Sequence, residues 1–167
     1  MLAPFIGFLW CFRRIFVKAA AGRKRFNVLG AIDAVSHELI KVTNDTYISA
    51  LSVCELFDNI RKRHFDSPVV VVLDNARYQK CKIVFDKAKQ LGIELLYLPP
   101  YSPNLNIIER LWKFVKKKCL HSKYYETFDL FKQSISNCLD GTDTTYKDEL
   151  DTLLNQKFQR FEKHASR

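Results

Sequence analysis

Residues 69–74 read VVVVLD, five apolar residues in a row that end in an aspartate. Pro68 stands directly before this run, and the turn-forming Asn75 follows it. A short apolar run without alternation is typical of a strand that is covered on both faces near the centre of a sheet. The run therefore predicts a buried strand, and it places Asp74 at the carboxyl end of that strand.

The segments next to this strand alternate between helix and strand patterns. A helix is predicted at 45–64, where apolar residues recur at helical spacing and basic residues fill the last turn. A second helix is predicted at 78–92, and a short strand at 93–98 follows it. Alternation of this kind is typical of strand–helix–strand crossovers, so the fold class is α/β.

The remaining segments extend this α/β unit on both sides. Upstream, 23–35 and 37–43 predict an antiparallel hairpin in which Gly30 is a possible bulge. Downstream, helices are predicted at 106–120, 127–139 and 147–164. We expect a mixed sheet flanked by helices, with residues 1–122 forming one domain and residues 123–167 forming a helical extension packed on it.

The amino-acid composition of the chain indicates which kinds of molecule the protein could bind. The chain has 27 Lys and Arg against 18 Asp and Glu, a net charge of +9 with a pI near 9.4. This excess fits a polyanion such as DNA, although a solvated basic surface would produce the same count. The five cysteines are widely spaced without a C-x-x-C pair, which indicates reduced thiols in a cytoplasmic protein. The apolar run near the N-terminus is too short to span a bilayer, so no membrane partner is expected.

The segment LPPYSPNLNIIERLWKFVKKK, residues 98–118, holds three of the five prolines of the chain directly before a lysine-rich helix. Asn106 and Glu109 stand three residues apart, as in a capping box, and Glu109 and Lys113 have the spacing of a helical ion pair. These patterns give Glu109 a purely structural interpretation. The letters PYSP also match a polyproline ligand, although strand and helix leave little extended chain to dock.

Asp74 and Glu109 also have a functional interpretation. Sites in open α/β sheets gather beyond the carboxyl ends of central strands, although an aspartate there can simply cap the following turn. Carboxylates held on rigid strand and helix ends are what two-metal phosphoryl chemistry uses, with two Mg²⁺ about 3.5–4 Å apart. Lys113, Lys116 and Lys117 on the same helix would then lie along a phosphate backbone.

Two segments resemble motifs of one family. VVLDNARYQ and LPPYSPNLNIIERLWKFVKKK are similar to the second and third acidic motifs of mariner-type transposases and their bacterial insertion-sequence relatives, in the DDE superfamily. The 34 residues between Asp74 and Glu109 (109 − 74 − 1) agree with that family's interval. GRKRFNVLGAIDAVSHELI resembles the hairpin upstream. The resemblance covers nearly the whole chain and implies a catalytic domain of ribonuclease-H-like fold.

The resemblance also implies residue roles. Asp74 would be the second metal-binding acid and Glu109 the third, with Mg²⁺ or Mn²⁺ as cofactor and DNA as substrate. Apart from the resemblance, the adjacent Asn75 is expected to hold the Asp74 carboxylate by hydrogen bonding. The supporting residues around the third acid would be Pro100, Tyr101, Ser102, Pro103 and Asn106. The partners implied are transposon ends and target DNA, with a possible homodimer.

The first acid of the family has no counterpart in this pattern. It would fall before Met1, so we expect an N-terminally truncated domain without its first strand and with impaired cleavage and strand transfer. Asp33 is the nearest upstream acid, but its place in the hairpin predicts a turn role. We expect residues 5–17 to pack against the sheet. The alternatives are a non-catalytic DNA-binding or dimerisation remnant, or an unrelated basic interaction domain, against which the acid interval argues.

Overall fold

The computed structural model describes residues 12–13, 24–100 and 105–155. Its first half contains two strands, a helix and a further strand: β1 (Asn27–Ile32), β2 (Leu39–Asn44), α1 (Ala50–Arg63) and β3 (Val69–Leu73). Its second half contains helix α2 (Lys82–Gln90), strand β4 (Ile93–Tyr97) and the helices α3 (Ile107–Cys119), α4 (Phe128–Asp140) and α5 (Lys147–Leu153). The α/β class is confirmed, with each predicted element present.

The four strands form two pairs. β1 and β2 are antiparallel, with Gly30 opposite Lys41, whereas β3 and β4 are parallel, with Val71 opposite Leu95. Both pairing directions follow from the connections, because a short turn joins β1 to β2 and helix α2 crosses over between β3 and β4. Within the described ranges these are two separate two-stranded sheets, so no hydrogen-bonded ladder joins them into the single mixed sheet that we expected.

One hydrophobic core joins the two sheets, and we call it the α1 core. Helix α1 contributes Val53 and Phe57, whose side chains are almost completely buried. The apolar positions of α1 recur at helical spacing, so they form one face that buries against both strand pairs. The buried members of the α1 core are Val42, Val53, Leu56, Phe57, Ile60, Val71, Leu73, Val84, Ala88 and Ile93.

A second core, the α3 core, lies on the other side of the β1–β2 hairpin. Its buried members are Leu111, Phe114, Val115, Cys119, Phe131, Ile135, Cys138, Leu139, Leu150 and Leu154. Val28 and Ile32 of β1 pack against this core, while the alternate residues Leu29 and Ala31 pack against the α1 core. Because neighbouring residues of a strand point to opposite faces, the hairpin belongs to both cores.

β3 is not covered on both faces, which corrects the expectation from its sequence. Val71 and Leu73 are buried, but Val70 and Val72 are 54% and 44% exposed. The second core covers the hairpin, and in the described part of the chain no helix covers the corresponding face of β3 and β4. The continuous valine run in β3 therefore reflects the high strand propensity of valine. It does not indicate that both faces of the strand are buried.

Helix α5 is shorter than predicted, since it ends at Leu153 while the sequence pattern continued to 164. The expected packing of residues 5–17 falls outside the described residues except at 12 and 13. The division at residue 122 stays a prediction, although α4 and α5 share the α3 core with α3. No helix within the described ranges is long and apolar enough to cross a bilayer.

Gly30 is not a bulge, because the register of β1 against β2 continues through it. The glycine instead permits a close approach of helix α3. A Cβ atom at this position would lie 3.1 Å from Cη2 of Trp112 and 3.2 Å from Cδ1 of Leu39. The missing side chain therefore sets the distance between the hairpin and the helix that carries Glu109.

We predict that Gly30→Val destabilises the fold by about 1–3 kcal/mol, because the added methyl groups must displace the Trp112 indole. Urea unfolding followed by circular dichroism measures this change. The matched control is Gly30→Val combined with Trp112→Leu, in which the smaller side chain leaves room for the valine. An equal loss caused by valine in both backgrounds would show that Trp112 does not impose the constraint.

Candidate active site

The carboxylate of Asp74 is held by the turn that follows β3. Its Oδ1 accepts a hydrogen bond from the backbone N–H of Ala76 at 2.9 Å. This is an Asx turn, the local role that the sequence left open for Asp74. Oδ2 makes no hydrogen bond or ion pair with the described residues, and the side chain is exposed. One oxygen therefore orients the carboxylate and the other faces outward.

Gln79 contacts the same carboxylate, although nothing in the local sequence pattern indicates such a role. It is only 8% exposed. In the amide orientation that satisfies both groups, its nitrogen donates to Asp74 Oδ1 at 2.5 Å and to the Asp74 carbonyl at 3.1 Å. The Tyr97 hydroxyl donates to the Gln79 carbonyl at 2.9 Å, which fixes the turn against β4. Burial and the charge of Asp74 raise the pKa of the adjacent Tyr78 phenol.

Asn75 joins the carboxyl ends of the two parallel strands. Its Nδ2 donates to the carbonyl of Leu98 at 2.6 Å, and the backbone N–H of Leu98 donates to Leu73 at 2.9 Å. Lys80 donates to Asn75 Oδ1 at 3.4 Å. Asn75 therefore fixes the strand end from which the Asp74 turn departs, and its side chain donates no hydrogen bond to the Asp74 carboxylate, which corrects the expectation from the sequence.

Glu109 lies in the first turn of α3, as predicted, but the capping box is absent. The Asn106 side chain makes no capping hydrogen bond, and only the backbone N–H of Glu109 contacts Asn106, at its carbonyl, 3.2 Å away. Lys113 forms no ion pair with Glu109 either. The carboxylate is half-buried and, within the described ranges, has no hydrogen-bond or ion-pair partner. Both structural interpretations of Glu109 are therefore wrong.

The proline turn is described only in part. Pro100 is exposed at the end of the described range 24–100, and Tyr101, Ser102 and Pro103 lie outside the described residues. Asn106 begins α3 with an extended backbone. The supporting roles of these residues stay predictions.

The donor chemistry of Asp74 and Glu109 fits a hard divalent cation. Each has a carboxylate oxygen without a partner among the described residues, and Mg²⁺ and Mn²⁺ prefer oxygen ligands of this kind. No direct contact joins the two side chains. In the parts of the chain that the structure describes, no group of three or more His, Cys, Asp or Glu side chains is gathered as a metal site. Asp74 and Glu109 are therefore candidate ligands that no third His, Cys, Asp or Glu of the described residues joins in a cluster.

The lysines of α3 divide into two kinds. Lys113, Lys116 and Lys117 are exposed and form no ion pair with any described residue. Lys118 is half-buried, and its Nζ lies 2.8 Å from a carboxylate oxygen of Glu149. The three lysines expected to contact DNA are thus lysines whose positive charge is not neutralised by a described carboxylate.

Asp33 has the turn role that the sequence predicted. Its Oδ1 accepts hydrogen bonds from the backbone N–H groups of Val35 at 2.8 Å and Ser36 at 2.7 Å. The backbone hydrogen bond from Ser36 is the main cause that lowers the pKa of this carboxyl group. Asp33 therefore closes the β1–β2 hairpin.

The chain belongs to the DDE superfamily endonucleases, whose family model matches residues 13–132. The match includes both acids and the whole of α3. A comparison with curated proteins finds no significant match.

Solved structures with the same fold include transposases. A Mos1 transposase paired-end complex with left transposon end has a TM-score of 0.56 and 14% identity, covering 91% of this chain and 51% of that chain. A Mos1 mariner paired end complex with Mn has a TM-score of 0.57 and 14% identity, covering 93% and 51%. A simian T-cell lymphotropic virus intasome has a TM-score of 0.57 and 13% identity, covering 72% and 43%.

These matches confirm the ribonuclease-H-like fold class. The chain spans about half the length of the solved transposase chains that it matches, and less than half of the intasome chain. The membership in the DDE superfamily endonucleases and the ribonuclease-H-like fold therefore apply to the segment that this chain covers.

We predict that Asn75→Ala lowers the free energy of unfolding by about 0.5–1.5 kcal/mol, because the Leu98 carbonyl loses the hydrogen bond that joins the two strand ends. Asn106→Ala, which removes no side-chain hydrogen bond, is the matched control, with a change within about 0.5 kcal/mol. Chemical denaturation of both variants measures the difference. A larger loss for Asn106→Ala would restore the capping interpretation.

Proposed function

We propose that the chain acts in DNA transposition as a DDE-type catalytic domain, in metal-dependent cleavage and strand transfer. The observation that carries the proposal is that Asp74 and Glu109 each have a carboxylate oxygen that no residue in the described part of the chain binds. Both lie inside the segment that matches the family, one at the end of β3 and the other in the first turn of α3. A solved neighbour described as a complex with Mn adds support for divalent metal.

Asp74 and Glu109 would be the residues that hold Mg²⁺ or Mn²⁺. When bound, such an ion supplies Lewis acidity to the attacking and leaving oxygens at phosphorus. Ala76 and Gln79 would orient Asp74 so that Oδ2 remains the available ligand. Gln79 contributes a neutral donor, which fixes the carboxylate without adding a competing positive charge. The exposed lysines of α3 would bind the phosphate backbone beside Glu109.

We further propose that this sequence alone cleaves DNA weakly. The family resemblance implies three acids, and the sequence matches only the second and third. Two carboxylates can bind one cation, whereas in-line displacement by two ions needs more ligands. We place the chain in the cytoplasm, with transposon ends and target DNA as its partners and a homodimer as its assembly.

The first test is nicking of supercoiled DNA by the purified chain with Mn²⁺. We expect weak nicking that falls to background in Asp74→Ala and in Glu109→Ala, while Asp143→Ala, which changes an exposed carboxylate away from the site, keeps the wild-type level. Robust nicking abolished by either substitution would refute the proposed impairment. Nicking that neither substitution changes would refute the site.

The second test addresses Gln79. We predict that Gln79→Leu weakens Mn²⁺ binding about 10-fold, because Asp74 loses the donor that orients it. Electron paramagnetic resonance of free Mn²⁺ measures the affinity without requiring catalysis. Gln79→Asn keeps an amide that is one carbon shorter and should restore part of the affinity. Equal binding by all three proteins would show that Gln79 does not position the carboxylate.

A second candidate function is DNA binding or dimerisation without cleavage. It is favoured by the three exposed lysines of α3, whose charges no described carboxylate neutralises. Electrostatic contact with phosphates requires no metal and no intact acid set. DNA binding in the absence of any nicking would favour this function over catalysis.

The lysines provide a test common to both candidates. Replacing Lys113, Lys116 and Lys117 with Gln should weaken binding to a DNA duplex and reduce the slope of log K against log salt by about 3, since each phosphate contact contributes about 0.9. Fluorescence anisotropy across a salt series measures the slope. The control replaces the exposed Lys62, Lys82 and Lys89, which removes the same net charge from α1 and α2. Equal losses in both triple variants would indicate an unspecific charge effect.

A further inference from the structure

Two buried thiols meet where α3 packs against α4. Cys119 is the last residue of α3 and Cys138 lies near the end of α4, and they are 3% and 4% exposed. Both side chains belong to the α3 core, and both line the same pocket. Cys119 Sγ also lies 3.5 Å from the carbonyl oxygen of Ser134, one helical turn before Cys138. The two sulfur atoms are therefore neighbours on different helices.

Small molecules can approach these thiols through a pocket. A cavity of about 440 Å³ is lined by both cysteines and by exposed polar residues, including Lys123, Gln133 and Asn137. Lys123 forms no ion pair with the described residues, so its charge faces the pocket without a carboxylate partner. The pocket thus combines a thiol pair with a site that favours anions.

The electrostatics give the two sulfur atoms different roles. The neighbouring Cys138 thiol, together with the Ser134 side chain and the charge of Lys123, lowers the pKa of the Cys119 thiol to about 7. The same contact and burial raise the pKa of Cys138. Cys119 is therefore the member of the pair that is ionised near neutral pH, and the thiolate is the nucleophilic form.

We propose that Cys119 and Cys138 are a thiol–disulfide exchange site for small anionic disulfides, which convert the pair into an intrachain disulfide between α3 and α4. This site is separate from Asp74 and Glu109 and does not depend on the function proposed for them. Its substrate class is represented by glutathione disulfide, whose carboxylates suit the lysine at the pocket.

The exchange proceeds in two balanced displacements. The Cys119 thiolate attacks one sulfur of glutathione disulfide, whose S–S bond breaks and releases one glutathione thiolate. Cys138 then loses its proton to the released thiolate or to solvent and attacks the Cys119 sulfur, which expels the second glutathione. The two protein thiols together lose two electrons and two protons, and glutathione disulfide is reduced to two glutathione molecules.

The other described cysteines make a matched comparison. Cys54 on α1 and Cys81 at the start of α2 donate to the backbone carbonyls of Ile83 at 3.9 Å and Tyr78 at 3.5 Å, as Cys119 donates to that of Ser134, so this contact is common to all three thiols. Burial raises the pKa of the Cys54 thiol, which disfavours its thiolate. Neither cysteine lines the pocket beside Lys123.

The experiment treats the full folded chain with glutathione disulfide, followed by tryptic digestion without reductant and mass spectrometry. The expected product joins the peptide 119–123 to the peptide 133–147, and it disappears after reduction. The cross-link should raise Tm by about 6–12 °C, because it closes the loop between α3 and α4 in the unfolded chain. Reduced protein incubated without the disulfide gives the reference Tm.

Three comparisons make the result decisive. Cys138→Ser should stop at a mixed disulfide between Cys119 and glutathione, while Cys119→Ser should leave position 138 unmodified. Cys54→Ser should form the 119–138 product as the wild type does. Any one of three results would overturn the proposal. The first is a cross-linked product that forms equally fast in urea, and the second is a glutathione adduct that persists on wild-type Cys119 without the cross-link. The third is preferential reaction at Cys54 and Cys81.

Discussion

Burial of one face of α1 is the constraint on which the rest of the structure depends. A two-stranded sheet is at best marginally stable alone, and this chain has two of them without a ladder between them in its described part. Val53 and Phe57 join them, because the α1 core takes residues from β2, β3 and β4 together. The hairpin and the parallel pair are thus held in one fold by packing rather than by backbone hydrogen bonds.

The candidate site consists of two carboxylates, one at the turn after β3 and one in the first turn of α3. Each has an oxygen that accepts no hydrogen bond from the described residues. The Asx turn after β3 uses only Oδ1 of Asp74, and α3 begins through backbone contacts at Asn106 without using the Glu109 side chain. A half-buried carboxylate without a partner is uncommon in folded proteins, since burial penalises an unpaired charge. Among the described residues, the Glu109 side chain therefore contributes neither to the cap of α3 nor to an ion pair with Lys113.

The sequence predicted much of this correctly, because most elements depend on local pattern. Helix spacing placed α1 to α4 within a few residues of their observed bounds, and Asp33 has its turn role. The errors share one cause, which is tertiary context. The exposed face of β3, the contact of Gly30 with Trp112 and the hydrogen bond from Gln79 to Asp74 depend on which distant elements meet. A run of valines or a lone glutamine has no local signal for such contacts.

The geometry of the acid pair depends on the hairpin more than on the segment between the two acids. Asp74 is anchored to the α1 core through Leu73, whereas Glu109 is anchored to the α3 core through Leu111. The β1–β2 hairpin contributes alternate residues to both cores, so it fixes their separation. The close approach of Trp112 at Gly30 sets the final distance of α3 from that hairpin. Changes in hairpin packing should therefore move the two carboxylates relative to each other, even though neither acid lies on the hairpin.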